Sequence, residues 1–152
     1  MAVTQSTAQL LAATRWGQQF APAEIEAIAK YMDVRNIPAN QSIFEQGDKD
    51  SFLAFIVSGK VDIAKEVADS LETIVVTLQP GTHFGELTFV DGQPRSASAL
   101  ANGDVTMLVF RRESFESLLK EDPELGIRIQ HNLLLTISKR LRMTTRELIY
   151  RD

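Results

Sequence analysis

The chain has no cysteine, two histidines, one tryptophan and no surplus of positive charge. Without thiols there is no disulfide framework, no thiolate zinc site and no cysteine nucleophile. The two histidines, His83 and His131, are too few for the multi-histidine metal centre of some β-barrel enzymes, so no metal cofactor is expected. Acidic residues outnumber basic ones by 20 to 16, a formal net charge of −4. That leaves no global basic field to draw nucleic acid or anionic lipid. No run of about 18 apolar residues is present, and the N-terminus lacks the charged start and apolar stretch of a secretory signal. These absences together imply a cytoplasmic address and no membrane partner.

What is present is enough for one packed domain: 152 residues, 44% of them hydrophobic. The first twenty residues are rich in Ala, Gln and Thr and weakly patterned, and read as a loosely attached arm or helix, with residues 21–152 as a single domain. "PAEIEAIAKYM" then places Pro22 and two acids at a helix start, with Ile25, Ile28, Ala29 and Met32 on one face. From Val34 to Phe110 short runs rich in Val, Ile, Phe and Thr ("SIFEQ", "FLAFIVSG", "ETIVVTLQ", "DVTMLVF") alternate with turn signals such as "QGDKD", "QPGT", "DGQP" and "NGD". Many short strands at regular spacing predict an antiparallel sandwich or barrel. After Arg111 the helical period returns, first in "RESFESLLKE" and then from Glu124 towards Ile149. There Ile127, Leu134, Ile137, Leu141, Thr144 and Leu148 form a stripe, with Leu133, Met143 and Ile149 off it. Such a stripe can pack on the barrel, on a twin helix, or on both.

One stretch asks for chemistry: "FGELTFVDGQPRSASA". Gly85 lets a backbone approach closely, a short helical turn through Glu86 and Leu87 presents N–H groups, and Arg95 adds a planar cationic fork suited to two phosphate oxygens. Ser96 can donate one more hydrogen bond. Glu86 would repel a phosphate but accepts readily from a sugar hydroxyl. The parts suit a small phosphorylated ribose. Taken alone, Glu86 and Arg95 read better as an ordinary surface ion pair, and the flanking motif is what favours a ligand. No "GxSxG" elbow or comparable arrangement supports nucleophilic catalysis, so no enzyme is expected. The basic run "KRLRMTTRE" fits the C-terminal half of a helix better than a DNA contact.

"PGTHFGELTFVDGQPRSASALA" resembles the phosphate-binding cassette of cyclic nucleotide-binding domains, as in bacterial catabolite activator proteins and kinase regulatory subunits. "SIFEQGDKDSFLAFIVSGKVDIAKE" resembles the early strands of that family, with Gly47 and Gly59 at turns. The resemblance implies a mainly β fold: an antiparallel jelly-roll-like β-barrel with an N-terminal helix and two C-terminal helices. It implies cAMP as ligand, with cGMP left open by the serine after the arginine. Glu86 would bind the ribose 2′-hydroxyl and Arg95 the cyclic phosphate. Main-chain groups at Phe84, Gly85, Leu87 and Ala97 and the Ser96 hydroxyl would complete the cradle. Thr144 and Thr145 would meet the base, one in its own subunit and one in the partner's, which implies a homodimer through the last helix. The chain stops at Asp152, where catabolite activators continue into a helix-turn-helix domain, so the expectation is a stand-alone signal-transduction sensor without direct DNA binding. It would act through its C-terminal helix on an unidentified downstream protein. Thr88-Phe89 stands where small or aliphatic residues are usual, which implies an altered pocket wall. The competing expectation is a dimeric adaptor that keeps the barrel and has lost the ligand.

Overall fold

A computed structural model describes residues 5–66 and 73–149, with the side chains of 73–74 and 144–149 outside the description. The chain divides into two compact units, residues 1–114 and 115–152.

Local chemistry sets the helix starts of the first unit. Before α1 (Thr7–Ala13) the Ser6 hydroxyl accepts from the Gln9 N–H at 3.1 Å, and the Gln9 side chain accepts from the Ser6 N–H at 2.8 Å. This reciprocal capping satisfies two of the donors that a helix start leaves unpaired. In α2 (Pro22–Ala29) proline takes the first position and the Glu24 carboxylate accepts from the Ala21 N–H at 2.9 Å. Between them Thr14 donates to the Leu11 carbonyl and accepts from the Gly17 N–H, closing a tight turn into a 3-10 segment, Gly17–Gln19.

Residues 5–20 carry several of the buried side chains of the first unit. Leu11 is fully buried, Trp16 and Phe20 are nearly so, and the Trp16 ring lies 5.0 Å from Phe55 and 4.6 Å from Phe20. A seven-residue helix followed by a 3-10 turn never runs long enough to show a clean 3.6-residue period, so its anchoring residues are invisible to a periodicity search.

Among the described residues six strands form one antiparallel sheet: β1 (Met32–Ile37), β2 (Ser42–Phe44), β3 (Phe52–Glu66), β4 (Thr73–Leu78), β5 (His83–Phe84) and β6 (Ser98–Arg111). The hydrogen-bonded order is β1-β6-β3-β4, with β2 on β6 and β5 on β3. The architecture is the expected jelly-roll-like one, although the ladder is open, ending at β1 and β4. Strands β3 and β6 are long and change partners along their length, and their mutual register shifts at Ile56/Ser58 and Ser58/Lys60. Such bulges bend a strand, so one strand can serve two parts of a curved sheet.

Alternate residues of these strands, including Ala54, Ile56, Val105, Met107 and Val109, join Ile37, Phe44 and Phe84 in the core. The other face is buried as well. Leu53, Phe55, Leu108 and Phe110 have almost no exposure, Phe55 meeting Trp16 and Phe110 meeting Phe89 at 5.5 Å. Burial on both faces explains why "FLAFI" reads as a continuous apolar run rather than an alternation.

In the second unit Asp122 caps α5 (Pro123–Ile149) by accepting from the Leu125 N–H at 3.2 Å, and proline again stands first. A Cβ at Gly126 would meet Leu119 of α4 (Arg112–Glu121), with its Cα at 3.0 Å, so the glycine lets the two helices approach. The buried side of α5 is the line Leu125, Ile129 and Leu133. The expected stripe lies elsewhere: Ile127, Leu134 and Leu141 are 59%, 59% and 64% exposed. The helix therefore carries two apolar faces. No helix among the described residues is long and apolar enough to cross a membrane.

Candidate ligand-binding site

The 84–97 loop begins where β5 ends after only two residues. Gly85 turns the chain there through a left-handed conformation, φ +86°, into the short helix α3 (Glu86–Asp91). A Cβ on Gly85 would lie 2.7 Å from Arg95 Nη1 and 2.9 Å from the Phe52 carbonyl oxygen. Both the dihedral and the space demand glycine. Gly92, also left-handed, ends α3 by donating to the Thr88 carbonyl at 2.8 Å, and the chain doubles back towards Arg95.

The returning segment is pinned across the sequence. The Arg95 N–H donates to the Asp48 carbonyl at 2.7 Å, and the Arg95 carbonyl accepts from the Gly47 N–H at 2.8 Å. The Ser98 hydroxyl accepts from the Gln46 N–H at 2.8 Å. The "EQGDKD" turn thus fixes where the arginine points.

Arg95 is 3% exposed. Its Nη1 donates to the Gly85 carbonyl at 3.1 Å and its Nη2 to the Phe52 carbonyl at 2.8 Å. The guanidinium carbon lies 4.0 Å from the Phe44 ring centre and 4.7 Å from that of Phe52. Stacking on aromatic faces compensates part of the lost hydration of a cation. The Nε is buried and has no hydrogen-bond partner among the described residues. Desolvation pulls the guanidinium down to about 10, while Asp50, Asp48 and Glu86 push the other way. At neutral pH it remains a cation, held by carbonyls and rings, with one donor lacking an acceptor. An anion of phosphate chemistry fits that need, because it accepts charge-assisted bonds at several oxygens.

Glu86 is 8% exposed, and its Oε2 lies 3.8 Å from Nδ1 of the equally buried His83. Phe84 is a core residue, its ring 5.9 Å from Phe44. Leu87 is half-exposed, Ser96 exposed and Ala97 partly buried. Gly85, Glu86 and Arg95 are therefore brought together, and Thr144 and Thr145 stand in α5 with side chains outside the described residues. Phe89, expected as a pocket wall, instead packs in the core against Phe110.

Sequence reasoning missed Phe44, Phe52, Asp48 and Asp50, which surround the arginine. Their only local signal is an acidic glycine turn framed by two phenylalanines, and they lie more than forty residues from Arg95. A separate cavity of about 250 Å³ is lined by Ala8, Gly17, Phe20, Pro22 and Ile25, with Gln9, Gln18 and Glu26 as its main polar groups. It has no cation in its wall, so an anion has no reason to settle there.

Comparison with known proteins bears on the family and the fold. The sequence profile described as the cyclic nucleotide-binding domain matches residues 34–122, more than half of the chain. The chain belongs to the cyclic nucleotide-binding domain family. It is 34% identical to the cyclic AMP receptor protein of Thermus thermophilus over 128 residues, covering 84% of this chain and 57% of that protein. It is 30% identical to a CRP-like cAMP-activated global transcriptional regulator of Mycobacterium tuberculosis over 140 residues, covering 92% of this chain and 61% of that one. The chain thus spans about three-fifths of the length of these relatives. The solved cyclic nucleotide-binding domain from Methylobacillus flagellatus shares the fold, with a TM-score of 0.82 at 23% identity over 96% of this chain and 82% of that one.

Proposed function

We propose that this chain is a non-enzymatic sensor module that binds cAMP, and more weakly cGMP, at the 84–97 loop, and signals occupancy through α5 to a partner protein. The observation that carries the reading is Arg95: a buried cation with an unsatisfied Nε, poised by the main chain of two distant segments. In this reading Arg95 takes the cyclic phosphate. Main-chain groups of Phe84, Gly85, Leu87 and Ala97 and the Ser96 hydroxyl cradle it, while Glu86 accepts from the ribose 2′-hydroxyl. Phe84 contributes only through its backbone, since its ring belongs to the core. Thr144 and Thr145 meet the base. Residues 21–152 work as one ligand-binding domain, with residues 1–20 as its N-terminal arm or helix.

Two copies pair through α5 in this proposal. Ile127, Leu134 and Leu141 are exposed at seven-residue spacing, the repeat by which two helices bury a common seam. Signalling then requires that ligand favour one arrangement of that helix over another. Titration calorimetry with cAMP and cGMP tests the reading, with Arg95→Ala as control. Saturable binding that the variant loses is expected. Silence with both nucleotides on ligand-stripped protein would overturn it in favour of an adaptor without ligand.

A further inference from the structure

Glu86 needs more than its place in the loop to serve a sugar. A carboxylate that is 8% exposed must have its charge compensated and its rotamer fixed, or burial drives it towards the neutral acid. The main chain around it supplies a partner by construction. The left-handed turn at Gly85 folds residue 86 back over residue 83, so that the His83 imidazole faces Glu86 Oε2 at 3.8 Å. His83 is itself held. Its backbone pairs with Phe55 in the β5–β3 ladder, its ring lies 5.7 Å from the Phe55 ring, and Phe55 is locked under Trp16. The imidazole is thus a rigid wedge between an aromatic and a carboxylate. Arg95 donates from its two Nη atoms to the carbonyls of Gly85 and Phe52, and its charge and that of Glu86 also interact electrostatically.

We infer that His83 is a positioning residue for Glu86, and that the preference of this chain for a ribose over a deoxyribose cyclic nucleotide depends on the imidazole. The inference rests on the nucleotide-site reading above. At 3.8 Å the contact is too long for a hydrogen bond and short enough to orient a carboxylate electrostatically. A carboxylate offers about four lone-pair sites over its two oxygens, so an imidazole on one side leaves capacity for a hydroxyl donor. His83 touches no ligand itself. It sets the angle at which Glu86 meets the 2′-hydroxyl, and its influence should vanish for a ligand that has no such hydroxyl.

The test compares cAMP with its 2′-deoxy analogue by titration calorimetry on the wild-type chain, His83→Phe and His83→Gln. Phe keeps the aromatic packing against Phe55 and removes the polar edge, while Gln keeps a donor towards Glu86. For His83→Phe, cAMP affinity should fall about tenfold, the loss of one hydrogen bond to a charged group. Affinity for the 2′-deoxy analogue should stay within about twofold, because that ligand never used the carboxylate. His83→Gln should recover most of the discrimination. Equal weakening of both ligands by either variant, or discrimination unchanged in His83→Phe, would overturn the inference while leaving the nucleotide site standing. A wild-type chain that binds neither nucleotide overturns the site and, with it, the role of His83.

Discussion

The 84–97 loop and the α5 helix break opposite rules of protein interiors. In the loop a guanidinium and a carboxylate are buried, each held by specific neighbours, and one donor has no acceptor. Along α5 large apolar side chains stand in solvent on one face while Leu125, Ile129 and Leu133 are buried on another. Folding alone rewards neither arrangement. A buried donor without an acceptor and an exposed apolar line both gain from a second molecule, but from different ones: the first from a small anion, the second from a surface of matching apolar shape.

If α5 carries two faces with different duties, they should separate by mutation. Ile129→Ala should cost about 2–5 kcal/mol of folding stability through the cavity it leaves. Leu134→Ala should stay within about 0.5 kcal/mol in protein diluted until monomeric. Denaturant titrations of both variants measure the difference, and equal losses would erase the distinction between the faces. In the loop, Gly85→Ala forces a left-handed alanine and a clash with the arginine's anchor, so a loss of at least about 1–3 kcal/mol is expected. A neutral result there would mean that the turn can relax without disturbing Arg95. The arginine gives the sharpest test. Arg95→Met removes a desolvated cation from between two phenylalanines but also takes the donors from the Gly85 and Phe52 carbonyls, so ligand-free stability should fall by about 1–3 kcal/mol. Nucleotide binding should vanish all the same. A larger loss of ligand-free stability would make the arginine a structural strut.

The sequence announced the order of helix, strands and two helices, because turn residues and β-branched runs mark strand boundaries locally. It also announced the "FGEL…PRSA" loop, where the special residues lie within a dozen positions. What it could not show depends on contacts between distant segments. Phe44 and Phe52 flank Arg95 only because β2 and β3 enclose the "QGDKD" turn that anchors the arginine's main chain. Nothing local in the sequence shows that His83 faces Glu86; the two meet through the left-handed turn at Gly85. In α5 the apolar residues were visible, but the sequence could not say which line would be buried. Both lines obey helical spacing, and only tertiary packing selects Leu133 over Leu134.

Trp16, the chain's only tryptophan, sits 2% exposed against Phe55, the residue paired with His83. Nature has in effect installed a single fluorophore one aromatic ring behind the histidine that faces Glu86. Its shielded indole emits towards the blue and has no second tryptophan to blur it. Changes at the carboxylate can therefore be followed optically in the unlabelled chain.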